Sequence, residues 1–278
     1  MENLAAFLQD LPSRINPNLF EAGPLQVRYY SLMYLVAFGL TYILAIYRIR
    51  KENFKYSTEI IQDLFMWGIL GLIIGARLWY AIFYNFSYYI SHPLEIILPF
   101  EFSGGIRFVG ISGMSFHGGA IGLLLAGLIY CRRRHVSFWN LSELFAPIMP
   151  LGYTFGRIGN FINGELYGRA ADVPWGMVFP LDPTGLIRHP SQLYEAFFEG
   201  IVLFVILWSI RRKSPFDGFL LAMYLIGYGA FRFFLEFFRE PDMQLGFIFA
   251  GLSMGQMQCI GMILAGFMIY LWRKRQAT

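Results

Sequence analysis

Seven apolar windows, each about long enough to cross the hydrocarbon core of a bilayer, leave this chain few ways to fold. They fall near 29–47, 59–83, 115–131, 143–160, 192–210, 217–238 and 254–272. The expected fold is all-α: a polytopic membrane protein with about seven transmembrane helices, one integral membrane domain over 1–278, and a small cap on the outer face. Composition agrees, with 56% hydrophobic and only 14% charged residues, against about 25% charged in soluble chains. An aromatic content of 19% suits interface belts of Trp and Tyr. The net charge of +4 is distributed by topology and does not point to nucleic acid.

Basic clusters follow the first, third, fifth and seventh windows: Arg48-Ile49-Arg50-Lys51 with Lys55, Arg132-Arg133-Arg134, Arg211-Arg212-Lys213 and Arg273-Lys274-Arg275. Under the positive-inside rule this places the N-terminus outside and the C-terminus in the cytoplasm. No cleavable signal peptide is expected, because Glu2, Asp10, Pro12 and Arg14 precede the first apolar run. Two outer segments, 84–114 and 161–191, are too long to be simple turns. The second is rich in Pro, Gly and Asp and reads as the folded cap. There is no low-complexity tract or fixed-period repeat. One weak echo recurs on even-numbered windows: Gly75-Ala76-Arg77, Gly156-Arg157 and Gly229-Ala230-Phe231-Arg232. Its glycines would let helices approach closely.

With that topology, Arg77, Arg157 and Arg232 lie in the outer halves of their windows, against the positive-inside bias. Each would cost roughly 2.5–3.5 kcal/mol at a bilayer centre. Three such arginines suggest a shared anionic target, for which the planar guanidinium fork is well suited. The alternative is internal pairing: Arg232 with Glu236 four residues on, and Arg157 with Glu165 across a bend. Tyr30, His117 and the run His189-Pro190-Ser191-Gln192 open odd-numbered windows at the same expected depth. Tyr228 lies one turn before Arg232 on the same face. His117, in Ser115-Phe116-His117-Gly118-Gly119, is a candidate general base or a histidine bonded to a backbone carbonyl. His92 and His135 receive no role.

Asn160, Asn163 and Glu165 either brace a bend or bind a polar head group. Ser191 is expected to N-cap the fifth window, with Glu195 favourable in the first turn. Cys131 and Cys259 read as structural thiols, with neither a disulfide nor zinc expected. With four histidines and none paired at ligand spacing, no metal is expected. There is also no GxSxG, HExxH or P-loop. An enzyme or binder acting on an anionic lipid fits best. A transporter would show related halves and ionisable groups near the midplane, and a scaffold would leave the arginines unexplained.

The run Gly156-Arg157-x-Gly159-Asn160-Phe161-x-Asn163-x-Glu165-x-x-Gly168 resembles the signature of the bacterial prolipoprotein diacylglyceryl transferases. Further matches follow in order along nearly the whole chain: Arg28-Tyr29-Tyr30, Gly75-Ala76-Arg77, His117-Gly118-Gly119, His189-Pro190-Ser191-Gln192-Leu193-Tyr194-Glu195 and Arg232-Phe233-x-x-Glu236-x-x-Arg239-Glu240-Pro241-Asp242. Tyr29 stands where the family often has Trp. The resemblance implies transfer of the diacylglyceryl group of phosphatidylglycerol to the lipobox cysteine of a prolipoprotein signal peptide. A thioether forms, glycerol phosphate is released, and no cofactor takes part. It implies lipoprotein biosynthesis at the bacterial cytoplasmic (inner) membrane. Catalytic residues are then expected at His117, Arg157, Arg232 and Tyr30. Arg157, Asn160, Glu165, Arg232, Tyr228 and Arg77 would bind the lipid. The base's identity, the peptide's docking route, the order of binding and the oligomeric state stay open.

Overall fold

The computed structural model describes residues 2–22, 25–52, 54–98, 100–101, 107–108, 113–240, 247–249 and 251–277. Pro241 and Asp242 of the last matching block lie outside the described residues. The chain is mostly helical. Among the described residues, four helices are long and apolar enough to cross a membrane: Tyr29–Lys51, Thr58–Phe83, Ser191–Ile210 and Met254–Ala277. Phe219–Leu235 is apolar but has 17 residues. The window 115–131 becomes the 19-residue helix Phe116–Arg134.

One expectation needs correction. The window 143–160 is not one helix. It breaks into Phe138–Phe145 and Met149–Ile162, because Pro147 and Pro150 supply no N–H and Pro147 disfavours helical backbone at the residue before it. The second piece has 14 residues, about 21 Å at 1.5 Å per residue. Short strands occur in the loops between the helices. Four antiparallel two-stranded hairpins occur among the described residues: Asn18–Ala22 with Leu25–Arg28, Phe100–Glu101 with Arg107–Phe108, Met177–Val178 with Ile187–Arg188, and Phe247–Phe249 with Leu252–Ser253.

The chain divides into two compact units, residues 55–141 and residues 1–54 with 142–278. In the smaller unit, helices Thr58–Phe83 and Phe116–Arg134 meet along glycines. A Cβ at Gly71 or Gly75 would collide with the backbone of Gly122 or Gly118, so small residues set this separation. Ser57 and Ser115 N-cap the two helices, accepting from Ile60 N and Gly118 N. Arg77, nine-tenths buried, pins the following loop. Its guanidinium donates to the carbonyls of Glu95 (2.5 Å), Ile96 (3.0 Å) and Gly113 (3.3 Å) and lies over the Tyr89 ring.

In the larger unit, Tyr29–Lys51 packs on Met149–Ile162, and Phe219–Leu235 packs on Met254–Ala277. The basic end of the first helix is tied down. Buried Arg48 donates to Glu52 (2.6 Å) and to the carbonyls of Glu143 (2.6 Å) and Leu144 (2.7 Å), while Glu52 also accepts from Arg211 (2.7 Å). The Glu143 carboxylate accepts from Gly218 N and Leu220 N. It thereby satisfies orphan donors at the start of the Phe219 helix.

Residues 161–191 form a folded segment. Phe161, Met177 and Phe179 make its core, with Leu11, Ile15, Tyr167 and Leu193 against them. Asp182 accepts from Thr184 N (3.1 Å) and from the Arg188 guanidinium, and Arg188 also pairs with Glu240 (3.0 Å) and covers the Tyr167 ring. The Arg188 hydrogen bond holds the Asp182 carboxyl down to about 2, with burial opposing. A carboxyl depressed in the folded state stabilises fully above its ordinary value of about 3.9 and loses that contribution as pH falls towards the folded value. Melting in detergent should therefore weaken between about pH 4 and pH 2 through this pair. In Asp182→Asn the stability should be lower at neutral pH and the acid dependence shallower. An unchanged acid dependence in Asp182→Asn would remove the pair from this role.

Candidate active site

Three helices of the larger unit each send polar groups to one place. On Met149–Ile162, Tyr153 and Arg157 are four residues apart and Asn160 is three further on, so all lie on one face. On Ser191–Ile210, Gln192, Glu195 and Glu199 repeat at helical spacing and are all buried. On Phe219–Leu235, Tyr224, Tyr228 and Arg232 recur every fourth residue. Along Ala196–Val202 the Ser191 helix widens to π geometry, which is frequent at functional sites. A Cβ at Gly200 would strike Thr154, so this glycine lets the Ser191 and Met149 helices close up.

Glu195 is the hub. Its Oε2 is 2.7 Å from Arg157 Nε and accepts from the Tyr153 hydroxyl at 3.3 Å. Its Oε1 is 2.9 Å from Arg232 Nη1 and 4.0 Å from Arg239 Nη1. Glu236 lies 3.2 Å from Arg232 Nη2 and accepts from the Ser253 hydroxyl at 3.2 Å. Glu199, with no exposed surface, is 3.7 Å from Arg232 Nη1. Tyr153 lies beneath the Arg157 guanidinium and meets the Tyr228 ring edge-on, and Tyr224 stacks on Tyr228.

A second layer runs outward from Arg157. Its Nη1 donates to Asn160 Oδ1 (3.2 Å), and Asn160 Nδ2 donates to Glu165 Oε1 (2.8 Å). The loop carrying Glu165 is held by its backbone. Gln192 donates to Glu165 O (2.6 Å) and Ser191 to Leu166 O (3.1 Å). Gly164 has φ +69°, and Leu166 adopts φ +59°, a strained value for a branched residue. Gly168 accepts no side chain, since a Cβ would meet Phe238 O and His189.

The structure brings together most of the residues expected from sequence. Arg157 and Arg232 share Glu195; Asn160 and Glu165 extend from Arg157; Tyr228 packs on Tyr153. The Tyr30 ring lies against Gly159 and its hydroxyl is 3.0 Å from that of Tyr34. The expected pairing of Arg232 with Glu236 is present. Arg157 does not pair with Glu165 but reaches it through Asn160. Ser191 does not cap its helix; Pro190 holds that position and makes no side-chain cap bond. Arg77 and His117 belong to the smaller unit. Arg77 is engaged by loop carbonyls, and His117 is exposed in the first turn of Phe116–Arg134. Sequence reasoning missed the hub, reading Glu195 as a favourable first-turn charge, passing over Glu199 and Tyr153, and giving no role to Arg239. The available signal was two carboxylates four residues apart in an apolar window, which need cationic partners.

Comparison with known proteins gives a consistent result. The family described as prolipoprotein diacylglyceryl transferase matches residues 17–272. The phosphatidylglycerol–prolipoprotein diacylglyceryl transferase of Chlorobaculum tepidum is 50% identical over 278 residues, covering 100% of this chain and 96% of the relative. The proteins of that name from Bordetella avium and Pseudoalteromonas translucida are 45% and 46% identical. They cover 95% of this chain in both cases, and 97% and 95% of the relatives.

Glu195→Ala removes the carboxylate that Arg157 and Arg232 share, leaving Arg157 with the neutral partners Tyr153 and Asn160 and Arg232 with Glu236 and Glu199. It should cost about 3–5 kcal/mol, read as a fall in melting temperature in detergent. Glu195→Gln should cost less, because its amide oxygen still accepts from Arg157. An alanine variant that melts like the wild type would show that the arginines do not depend on this carboxylate.

Proposed function

The chain belongs to the prolipoprotein diacylglyceryl transferase family, and from that premise we propose that it performs the family's reaction at the Arg157–Arg232 cluster. It moves the diacylglyceryl group of phosphatidylglycerol onto a prolipoprotein, the first step of lipoprotein maturation. In the proposed chemistry the acceptor is the lipobox cysteine. Its sulfur forms a bond to the glycerol carbon as that carbon's bond to the phosphate oxygen breaks. The thiol proton passes to a base, and glycerol phosphate leaves with both negative charges that this requires. The observation that carries the assignment is the pair of guanidinia, on different helices, meeting at one buried carboxylate. Two planar forks aimed at a common point suit a tetrahedral anion, and their hold strengthens as charge develops on the leaving phosphate.

The remaining roles follow from position. Asn160 and Glu165, next to Arg157, are assigned the hydroxyls of the lipid's terminal glycerol. Tyr228, on the Arg232 helix, and Tyr30, packed from the Tyr29 helix against Gly159, are assigned to orient the head group. His117 is assigned the thiol proton, on the strength of its exposure and of the imidazole's capacity to act as a general base. Arg77 is left out of the anion site because its donors hold the 95–96 and 113 backbone. The proposed setting is the bacterial cytoplasmic membrane, crossed about seven times, the fourth crossing being made by the broken pair Phe138–Phe145 and Met149–Ile162, with the N-terminus and the 161–191 cap outside. The four basic clusters support that orientation.

The test uses purified protein in liposomes of labelled phosphatidylglycerol, with a lipobox peptide and its Cys→Ser twin. Label should reach the cysteine peptide alone, with glycerol phosphate released. Protein that binds the lipid but transfers nothing would make the arginines a lipid clamp and refute the assignment.

Two variants sharpen this. Arg157→Lys replaces a fork with a point charge and should lower turnover by about 10²–10³-fold; near-normal turnover excludes Arg157 from the phosphate. His117→Gln should lose transfer while keeping lipid affinity. Full activity with an unchanged pH profile would make His117 structural.

A further inference from the structure

With all three of its carboxylates ionised, the arginine cluster is neutral before any lipid arrives. Arg157, Arg232 and Arg239 face Glu195, Glu199 and Glu236, and the charges cancel. A phosphodiester brings one more negative charge into a buried site, where uncompensated charge is costly. Either an ion pair opens to water or a carboxylate takes up a proton.

The three carboxylates are not held alike. Glu195 makes two ion pairs under 3.0 Å. Glu236 has an ion pair at 3.2 Å and a hydroxyl donor at 3.2 Å. Among the described residues Glu199 has a single cation within 4.0 Å, at 3.7 Å, and the neighbouring Tyr153 hydroxyl makes no well-aligned hydrogen bond to either of its oxygens. It is fully buried within the π-helical turn. Its surroundings are Tyr153 and Arg157 from the Met149 helix, Glu195 from its own helix, Tyr224, Tyr228 and Arg232 from the Phe219 helix, and Cys259 from the Met254 helix. Of the three carboxylates, Glu199 is the one whose nearest arginine is farthest away. As a neutral acid it would also gain a donor.

We propose that Glu199 is a positioning residue that takes up one solvent proton when the lipid phosphate binds, keeping the arginine cluster neutral with and without its anion. The balance is one carboxylate and one proton giving one neutral acid, for one phosphodiester charge admitted. Glu199 need not touch the lipid; it acts through Arg232, releasing that guanidinium from a competing internal charge. This rests on the placement of the phosphate at Arg157 and Arg232.

The experiment is calorimetric titration of full-length protein in neutral detergent with dioctanoyl-phosphatidylglycerol, in phosphate-free buffers of different ionisation enthalpy. Wild type should take up close to one proton per lipid bound at its maximum across a pH series, and its affinity should fall by up to tenfold per pH unit where uptake is maximal. Glu199→Gln should show no uptake and a flat profile, holding the affinity that wild type reaches only at low pH. Glu236→Gln should keep the uptake.

Absence of uptake in wild type, at every pH, overturns the assignment without any variant. Uptake that persists in Glu199→Gln also overturns it. Arg157→Ala separates this from the underlying placement. If that variant binds the lipid as wild type does, the phosphate site itself is misplaced. If it fails to bind while wild type takes up no proton, Glu199 alone is misassigned.

Discussion

The Glu195 carboxylate, shared between Arg157 and Arg232, is the interaction on which the larger unit depends. Each arginine by itself would be an expensive passenger on an apolar helix, and a buried pair broken at one end costs several kcal/mol. Sharing one acceptor between two donors on different helices turns those costs into a constraint. The Met149, Ser191 and Phe219 helices cannot slide past one another without exposing a charge. Close approach at Gly200 and, where the Phe219 and Met254 helices touch, at Gly229 supplies the short distances that this electrostatic register needs.

The same register reaches the loop beyond the Met149 helix. Asn160 joins Arg157 to Glu165, and Gln192 and Ser191, one turn from Glu195, hold the carbonyls of Glu165 and Leu166. The strained Leu166 backbone is thus fixed from the very helix that carries the hub. Arg169 N and Nε bond to Phe238 O and Arg239 O, so the segment after the Phe219 helix is tied to the same loop. Polar groups that look scattered in sequence over 157–169, 189–199 and 232–239 form one connected network.

How much of this was legible in the sequence depended on the range of the physics. Apolar windows gave the helices because backbone satisfaction in lipid is a local demand. Arg157, Asn160, Glu165, Tyr228 and Arg232 could be singled out because a polar group in an apolar run is conspicuous wherever it goes. Their partners were not legible. Arg157 could equally have met Glu165 nearby or Glu195 on another helix, and only packing decides. Arg77 shows the opposite limit: by composition it resembles the other two arginines, yet backbone carbonyls satisfy it. The break at Pro147 was written in the sequence but hidden by a hydropathy average that counts proline as merely neutral.

A neutral cluster of this kind imposes a condition on any anionic substrate. Affinity cannot come simply from three positive charges, since the protein has already paired them. It must come from exchanging internal carboxylate contacts for phosphate contacts, and the difference between the two is small compared with either. That arrangement lets the empty site exist in an apolar setting without unbalanced charge. With the phosphate placed as proposed, it also keeps the loaded site from binding its ground state too tightly, leaving stabilisation to grow as the leaving phosphate gains charge. Stability and turnover then draw on the same carboxylates. Substitutions that free the arginines for substrate should loosen the helices, and those that tighten the internal pairs should slow exchange.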